Sequence, residues 1–564
     1  MTKISRRHAL TLVGAGGLAA ACAGNGVEPV AASSQRAPVS QLFRHGVASG
    51  DPDAVSLIIW TRITTDLPEL DVTWRVAADA DFKTVVASGN TVTGAARDWT
   101  VKALISGLQP GQIYHYQFEA LGETSPAGRT RTLPVNGPAQ LGIALASCSN
   151  YTFGHFNAYG AIAADPEIDF VLHTGDYIYE YGGPDGWGEE TGITIGRPHD
   201  PPHEIVTLQD YRTRHAQYKT DEGSRAMHAA HPLLCCWDDH ESANNPWKDG
   251  AQNHQPDSEG SWEARRMASV QAYYEWMPIR EPDAGQSRLE FWRTYVFGDL
   301  ATLVTLETRH TARGEQVDYE AWRPKLETPE DYETFRTAVI GDPTRAMLSP
   351  GMEEDLKAAL TQSREMNQPW RLIGNPMPLA RMLVPDLVGA GVLPVPDDAA
   401  LDAHKRMAWL GAHNLPFYTD TWDGYPAARE RFYELCKAAD VQDLIVLTGD
   451  SHSFWLNQLA DDAGNPMGVE LGTAGITSPG DFVESGFDTE KAIALDAAFA
   501  DLLDEVLWTD NLHQGYVRLV LQADRAHADF VAVRTVLQPD LHTEILRTVD
   551  LQHDGVSVSV TDES

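Results

Sequence analysis

The fold is decided by the stretch FVLHTGDYIY, residues 170–179, in which a short apolar run leads directly into side chains of the kind that bind metals. The apolar part is too short for a helix and is typical of a buried strand. Asp176 and Tyr179 follow at the point where this strand ends. Because Gly-Asp is also an ordinary turn, the stretch predicts a site only if other strands end in the same way.

Four further apolar runs do end in residues of ligand type. They are 141–146 before Cys148, 233–237 before Asp239, 370–373 before Asn375, and 444–447 before Asp450 and His452. Helical patterns at 259–276, 350–365, 400–412 and 426–439 alternate with runs of this kind. The alternation predicts the α/β class, in which the carboxyl ends of parallel strands meet in one crevice.

The residues at these strand ends bring together carboxylates, imidazole, an amide, a phenol and a thiol. So many acids cannot be packed around one point without cations, which predicts a multinuclear metal site. The thiol of Cys148 and the phenol of Tyr179 favour a transition ion such as iron, whereas the carboxylates suit calcium, magnesium or manganese. Taken alone, a cysteine such as Cys148 is more often a buried core thiol than a ligand.

The chain divides into four predicted regions. Residues 41–135 contain short β-rich runs, and a Gly-Leu-Gln-Pro-Gly turn at 107–111 precedes one of them, which predicts a β-sandwich of fibronectin or immunoglobulin type. The catalytic α/β domain is predicted over 138–545, between an export signal with linker at 1–40 and a C-terminal tail at 546–564. The Gly-, Pro- and His-rich segment 183–225 is predicted to be a surface insertion, with His199 and His203 in a solvated loop.

The first residues predict export. Arg6 and Arg7 stand directly before a Gly- and Ala-rich apolar stretch at 9–21, which is typical of a twin-arginine signal. Simple cleavage near Cys22 and lipid attachment at Cys22 are both open, so the expected location is periplasmic or secreted, with a lipoprotein as the second option.

The charge limits the partners. The chain has 43 Lys and Arg against 80 Asp and Glu, a net charge of −37. So acidic a protein is not expected to bind nucleic acid except as a substrate, or to bind a membrane unless Cys22 is lipidated. A monomer is the expected state.

Three motifs resemble those of PhoD-type alkaline phosphatases, which are relatives of the purple acid phosphatases within the metallophosphoesterase superfamily. They are GDYIY at 175–179, WDDHE at 237–241 and GDSH at 449–452, and HGVASGDP at 45–52 resembles the sandwich domain that precedes the catalytic domain in that family. The resemblance implies a four-layer α/β/β/α metallophosphatase fold behind the sandwich.

The resemblance also implies the metals and their ligands. One Fe³⁺ would be held by Cys148, Asp176, Tyr179 and His452, and Asp176 would bridge to one or two Ca²⁺. Asp239 and Asp450 would hold the second metal, and Asn375 lies where the superfamily places a further ligand. The implied reaction is hydrolysis of phosphate monoesters and diesters, in which the metals polarise the phosphoryl oxygens and activate a water for in-line attack on phosphorus.

Two further residues are candidates for catalysis. His240 directly follows the predicted ligand Asp239 and is expected to protonate the leaving group, with a structural pairing to a carboxylate as the alternative. Arg309 is expected to clamp phosphate, with a surface ion pair to Glu307 or Glu315 as the alternative. Glu307 stands where the family usually has Asp, so substrate choice is less certain than chemistry.

Two other functions compete with this prediction. The first keeps the site and changes the substrate, giving a phosphodiesterase of phospholipase D type that acts on lipid or wall-polymer phosphates. The second is a non-catalytic, calcium-binding surface module.

Overall fold

The structure, a computed structural model, describes residues 40–562. The predicted signal residues Arg6 and Arg7 and the lipidation candidate Cys22 lie outside this range. Within it, no helix is long and apolar enough to cross a bilayer.

The strands of this range are numbered in chain order. They are β1 (Val47–Gly50), β2 (Ser56–Arg62), β3 (Glu69–Ala77), β4 (Val85–Gly94), β5 (Thr100–Ser106), β6 (Ile113–Ala120), β7 (Glu123–Thr124), β8 (Gly128–Arg131), β9 (Leu141–Ala146), β10 (Phe170–His173), β11 (Leu233–Cys235), β12 (Pro246–Trp247), β13 (Gly250–Ala251), β14 (Arg293–Phe297), β15 (Ala301–Thr305), β16 (Trp370–Asn375), β17 (Leu444–Thr448), β18 (Phe454–Ala460), β19 (Pro466–Gly472), β20 (Val506–Asp510), β21 (Gly515–Leu521), β22 (Ala526–Val533), β23 (Thr543–His553) and β24 (Val558–Asp562).

The α-helices are numbered in the same way. They are α1 (Asn157–Ala164), α2 (Glu189–Ile195), α3 (Leu208–Tyr218), α4 (Glu222–Ala230), α5 (Pro256–Glu259), α6 (Trp262–Trp276), α7 (Tyr319–Trp322), α8 (Pro329–Thr334), α9 (Pro350–Glu365), α10 (Asp402–Ala412), α11 (Pro426–Ala438), α12 (Asp481–Glu484) and α13 (Thr489–Leu502). The four helices expected from the sequence correspond to α5 with α6, α9, α10 and α11.

Two large sheets form the centre of the molecule. The first has ten strands in the order β24-β23-β22-β21-β9-β10-β11-β1-β2-β5, and the second has seven in the order β14-β15-β16-β17-β19-β18-β20. Strands β9, β10 and β11 run parallel to one another, as do β15, β16, β17 and β19.

The alternation of side chains along β10 shows how these layers are held together. Phe170 and Leu172 pack in the core between the two sheets, together with residues of the second sheet such as Leu372 and Leu447. Val171 points the other way, into a core shared with α1, α4 and α6. Because successive strand residues face opposite sides, one short apolar run serves two cores. A third core joins the second sheet to α9 and α11, so the predicted four-layer α/β/β/α architecture is confirmed.

The N-terminal region forms the expected β-sandwich, but it is not a separate body. Strands β3, β4, β6, β7 and β8 form one sheet, which packs on β1, β2 and β5 over a core that includes Ile59, Val72 and Tyr116. The strands β1, β2 and β5 also extend the ten-stranded sheet, because β1 lies parallel to β11 with Gly50 opposite Leu233. The two predicted domains therefore share one sheet.

The prediction of a tail over 546–564 is wrong for the described part of that range. Most of β23 and all of β24 lie there, and both strands extend the ten-stranded sheet beyond β22. Val549, Leu551 and Val558 are buried in the core between the sheets. The alternation of apolar and polar residues over 517–560 is itself typical of strands, so the error lies in the domain boundary at 545.

The surface insertion predicted at 183–225 is only partly correct. The segment contains α2, α3 and the start of α4, and Arg214 and His215 of α3 are completely buried. His203 is exposed as expected, whereas His199 is only 3% exposed and contacts the hydroxyl of Tyr218. The expectation of a solvated His199 is therefore wrong, because α3 covers it.

Candidate metal centre

The crevice lies at the carboxyl ends of the parallel strands. Cys148 follows β9, Asp176 follows β10 and Asp239 follows β11, and these strands pair in parallel, so their ends meet at one edge of the first sheet. Asp450 and His452 follow β17 of the second sheet. The structure thus brings together residues that are up to 304 positions apart in the chain, as their numbers show.

Asp176 lies in the middle of the predicted ligands. One of its oxygens, Oδ2, is 3.6 Å from Cys148 Sγ and accepts a hydrogen bond from the Tyr179 hydroxyl at 3.0 Å. The same hydroxyl is 3.4 Å from Nε2 of His452. Ligand atoms of Cys148, Asp176 and His452 lie within 4.8 Å of one another, which suits a common metal ion.

A second set of ligands consists of carboxylates. Atoms of Asp176, Asp238, Asp239 and Asp450 also lie within 4.8 Å of one another. Oδ1 of Asp239 is buried and has no hydrogen-bond partner in the described chain, and the same is true of Oδ2 of Asp238. A buried carboxylate oxygen without a partner is costly, so these atoms fit the coordination of a hard cation.

The electrostatics of the cluster lead to the same conclusion. Burial, and then the neighbouring carboxylates led by Asp239, raise the pKa of Asp176 well above its usual range. Burial followed by Asp238 does the same to the pKa of Asp450, and burial followed by Asp176 raises the pKa of both Cys148 and Tyr179. The nearby Arg309 and His240 do not offset this effect at these four groups, and bound cations would favour the ionised forms that act as ligands.

The backbone at the strand ends is strained. The φ angles of Cys148, Asp176, Asp450 and His452 are 59°, 56°, 67° and 58°, in the left-handed region that side chains seldom adopt. Gly175 has a φ of 103°, and a Cβ atom there would lie 2.3 Å from the backbone nitrogen of Asp238. Strain of this kind persists where it orients functional groups, and here it turns ligand side chains into the crevice.

His240 is held by a carboxylate that the sequence analysis missed. Its Nδ1 lies 2.6 Å from Oε2 of Glu180, which is completely buried, and its Nε2 is 3.9 Å from Asp239. Burial lowers the pKa of His240, but Asp239 and Glu180 more than offset this and raise it to about 9. Glu180 thus fixes the imidazole ring of His240, and Nε2 faces the crevice. Its signal in the sequence was its position directly after Tyr179.

Arg309 is buried among acids and is not a surface residue. Its Nε donates to Asp238 at 2.5 Å, its Nη1 donates to Asp420 at 3.1 Å, and its Nη2 is 3.6 Å from Asp450. The alternative of an ion pair with Glu307 or Glu315 is therefore wrong. Glu307 instead accepts hydrogen bonds from backbone N–H groups, including that of Arg309 at 2.9 Å.

Asn375 stands apart from the other predicted ligands. Its side-chain nitrogen donates to the carbonyl oxygen of Met377 at 2.5 Å, and its side-chain oxygen accepts from the Trp422 indole at 3.3 Å. Asn375 is still within β16, opposite Thr448 of β17. The nitrogen and the oxygen of the Asn375 amide thus each make a hydrogen bond within the protein. Metal binding by Asn375 stays a prediction.

Other residues around the crevice gave no clear signal in the sequence. Ser478 donates to the Tyr179 hydroxyl at 2.9 Å, and Asp420 supports Arg309. The half-buried ring of Trp187 stacks on His452 with ring centres 5.4 Å apart and on His240 at 6.4 Å. Trp187 lies in the Gly-rich segment that the sequence indicated only as a loop.

Solved structures identify the fold. The structure of PhoD has a TM-score of 0.73 and 28% identity, and the match covers 94% of each chain. The purple acid phosphatase PPD1 from yellow lupin (Lupinus luteus) seeds has a TM-score of 0.50 over 86% of this chain and 71% of its own, and at 11% identity the likeness is one of fold. Together with the acid-rich crevice, the fold defines the class of protein as a phosphoester hydrolase.

Sequence comparisons give the family. Residues 143–530 match the model of the PhoD-like phosphatases, and residues 29–134 match the model of their N-terminal domain. Alkaline phosphatase D of Bacillus subtilis (strain 168) is 32% identical over 520 residues, which is 89% of this chain and 79% of that protein. The chain therefore belongs to the PhoD-like phosphatase family. The resemblance seen in the motifs is confirmed, and so is the prediction of a phosphoric ester hydrolase, against the alternative of a non-catalytic module.

Proposed function

We propose that this chain is a metal-dependent hydrolase of phosphate monoesters and diesters that acts outside the cytoplasm. The observation that carries the metal dependence is the position of Asp176. Asp176 belongs both to a set with a thiol and an imidazole and to a set made only of carboxylates. A carboxylate between two unlike donor sets suits a bridge between two unlike cations.

The two donor sets support different metals. Cys148, Tyr179 and His452 with Asp176 would hold a transition ion such as Fe³⁺, because thiolate, phenolate and imidazole are ligands that such ions prefer. Asp239 and Asp450 with Asp176 would hold Ca²⁺, which prefers carboxylate oxygens. When bound, the metals supply Lewis acidity toward the phosphoryl oxygens and toward water.

The chain itself would handle the proton and the orientation of the substrate. His240, oriented by Glu180 through the contact at Nδ1, can hold a proton at Nε2 and deliver it to the departing alkoxide. Arg309 fixes Asp238 through its Nε and lies beside Asp450. Nη2 of Arg309 has no hydrogen-bond partner in the described chain, so one guanidinium donor is left for a phosphoryl oxygen.

Export rests on the first residues of the chain. Arg6 and Arg7 before the apolar stretch 9–21 support the twin-arginine pathway, which carries folded proteins. Replacing both arginines by lysine should leave the protein in the cytoplasm, as fractionation of cells would show. Export unchanged in that variant would contradict this part of the proposal.

Metal analysis of the protein purified without chelator, combined with hydrolysis of p-nitrophenyl phosphate and bis-p-nitrophenyl phosphate, tests the proposal. We expect iron and calcium, and activity that is lost in EDTA and returns when both metals are restored. The ratio of the two rates measures the preference for monoester or diester. A folded protein without metal that stays inactive after iron and calcium are restored would overturn the metal dependence.

A further inference from the structure

A second cavity lies where the N-terminal sandwich meets α3. Its volume is about 240 Å³. Arg44, His45, Arg62 and Asp98 line it from the sandwich side, and on the other side α3 and its flanking turns contribute residues that include Arg212. Its lining residues include none of the predicted metal ligands, so the cavity is distinct from the metal centre.

Some guanidinium N–H groups of the arginines in this cavity make no hydrogen bond in the described chain. Arg62 uses Nε and Nη2 for Asp98, and Arg212 uses Nε and Nη2 for Glu275, while Nη1 of each makes no hydrogen bond within residues 40–562. Arg44 is exposed and has no ion pair with a carboxylate of the described chain. The guanidinium fork matches the oxygen atoms of phosphate and similar oxyanions.

A further cation without a carboxylate partner in the described range stands beside these arginines. Arg225 donates to the backbone oxygens of Arg44 and Thr220. Asp98 is paired with Arg62 and Glu275 with Arg212, so Asp200 is the remaining carboxylate of the lining against Arg44 and Arg225. These residues leave an excess of one positive charge, in a chain with a net charge of −37.

His45 adds a buried polar group without a partner. The residue is only 4% exposed, and its Nδ1 makes no hydrogen bond in the described chain. Burial, and then the charges of Arg62 and Arg44, lower its pKa to about 2. His45 is thus a neutral imidazole within a ring of cations, and a neutral imidazole can donate a hydrogen bond to an anion.

We propose that this cavity binds a tetrahedral oxyanion of phosphate size, held by Arg44, Arg62 and Arg212. The free guanidinium donors supply the hydrogen bonds, and the unpaired cations supply the charge that the bound anion neutralises. Arg44 lines the cavity and is exposed, so the anion can reach the site from solvent.

Helix α3 lies between this anion site and the metal centre. One face of α3 carries Arg212 into the cavity. The other face carries Arg214, which donates to the backbone oxygens of Tyr179 and Tyr181, and Tyr211, which donates to that of Ser242. An anion held by Arg212 would therefore contact the same helix whose other face holds the backbone at Tyr179, Tyr181 and Ser242.

The test uses crystals of the full, metal-loaded protein grown without phosphate or sulfate and soaked in selenate. We expect an anomalous peak for selenium in the cavity of the wild type. Arg44→Glu should remove it, because this variant reverses the charge of a side chain that is exposed and makes no ion pair in the described structure. Arg525→Glu is the matched control, an exposed arginine outside the cavity, and should keep the peak.

Calorimetric titration with inorganic phosphate at constant ionic strength gives the affinity. We assign to the cavity the binding heat that is lost in Arg44→Glu and kept in Arg525→Glu. In Arg44→Glu, the dissociation constant of the cavity for phosphate should rise at least about tenfold, as for loss of one charged hydrogen bond. No selenium peak in the wild type, or a peak and heat unchanged in Arg44→Glu, would overturn the proposal. A peak without saturable heat would mean an adventitious ion only and would overturn it as well.

Discussion

The two sheets contribute unequally to the metal centre. In the first sheet, three neighbouring strands each deliver a predicted ligand to the crevice, namely Cys148, Asp176 and Asp239. In the second sheet, β17 delivers Asp450 and His452, whereas Asn375 at the end of β16 uses its amide for Met377 and Trp422. Asn375 thus differs from the other candidates in its hydrogen bonds, and its role as a ligand stays a prediction.

The backbone also differs between four of these ligands and Asn375. Cys148, Asp176, Asp450 and His452 all leave their strands with positive φ, which turns them out of the pleat. Asn375 still pairs with Thr448 as part of the strand, so the pleat sets the direction of its side chain. Substitutions of the predicted ligands and of Asn375 should therefore differ in their effects on metal content and activity.

The largest effect is expected from Asp176→Asn in the first sheet. This change removes the charge shared by both donor sets, so activity should fall on the order of 10³-fold or more. Such a loss corresponds to several kcal/mol of transition-state stabilisation by the metals. The measurement is kcat/KM with p-nitrophenyl phosphate together with metal content by mass spectrometry. Asp257→Asn, an exposed acid in α5, is the control. Full content of both metals with nearly unchanged activity would contradict the bridging position.

Cys148→Ser should separate the two donor sets. The variant removes the soft ligand, so iron content should fall while calcium content is kept, and activity should fall roughly 100-fold. The control is Cys436→Ala, a buried thiol that packs in the core of the second sheet against its helices and should leave both metals in place. Loss of calcium with iron retained would reverse the proposed assignment.

Glu180→Gln should change the pH profile of the reaction. If His240 donates a proton, the rate falls as pH rises through the pKa of His240, which Asp239 and Glu180 raise against the effect of burial. Without the charge of Glu180 that fall should move to lower pH, and kcat should drop about tenfold.

The dependence on leaving group checks the role of His240 in the same variant. An alkyl phosphate needs protonation of its leaving oxygen more than p-nitrophenyl phosphate does, so Glu180→Gln should slow the alkyl substrate more. Equal losses on both substrates, with no shift of the pH profile, would assign Glu180 and His240 a structural role.

The smallest effect on activity is expected from Asn375→Ala in the second sheet. The change removes two buried hydrogen bonds and should lower the free energy of unfolding by about 1–2 kcal/mol. Metal content should not change, and kcat/KM should stay within about threefold of wild type. Denaturant unfolding and metal analysis check these outcomes. Loss of a metal in this variant would show that Asn375 is a ligand and would remove the contrast between the sheets.

Much of the fold was predictable because its signals are local. Short apolar runs alternating with helical patterns gave the α/β class, and α9 begins and ends at the predicted residues. The strand-like alternation continues from 517 to about 560, so only the domain boundary at 545 was misplaced, and the pairing of β23 with β22 shows that this last part belongs to the sheet. The sharing of one sheet by both domains depends on a single pairing of Gly50 with Leu233, which no local pattern reveals.

The candidate site likewise has residues that the sequence predicts and residues that it does not. The candidate ligands Cys148, Asp176, Asp239, Asp450 and His452 could be predicted from the sequence, because they are ligand types placed at the ends of apolar runs. The residues that support them could not, because they come from distant parts of the chain. Glu180 reaches His240 across 60 positions, and Arg309 reaches Asp238 across 71. Burial makes such pairings obligatory, since a charge removed from water must find a partner, and packing of distant strands selects which partner it finds.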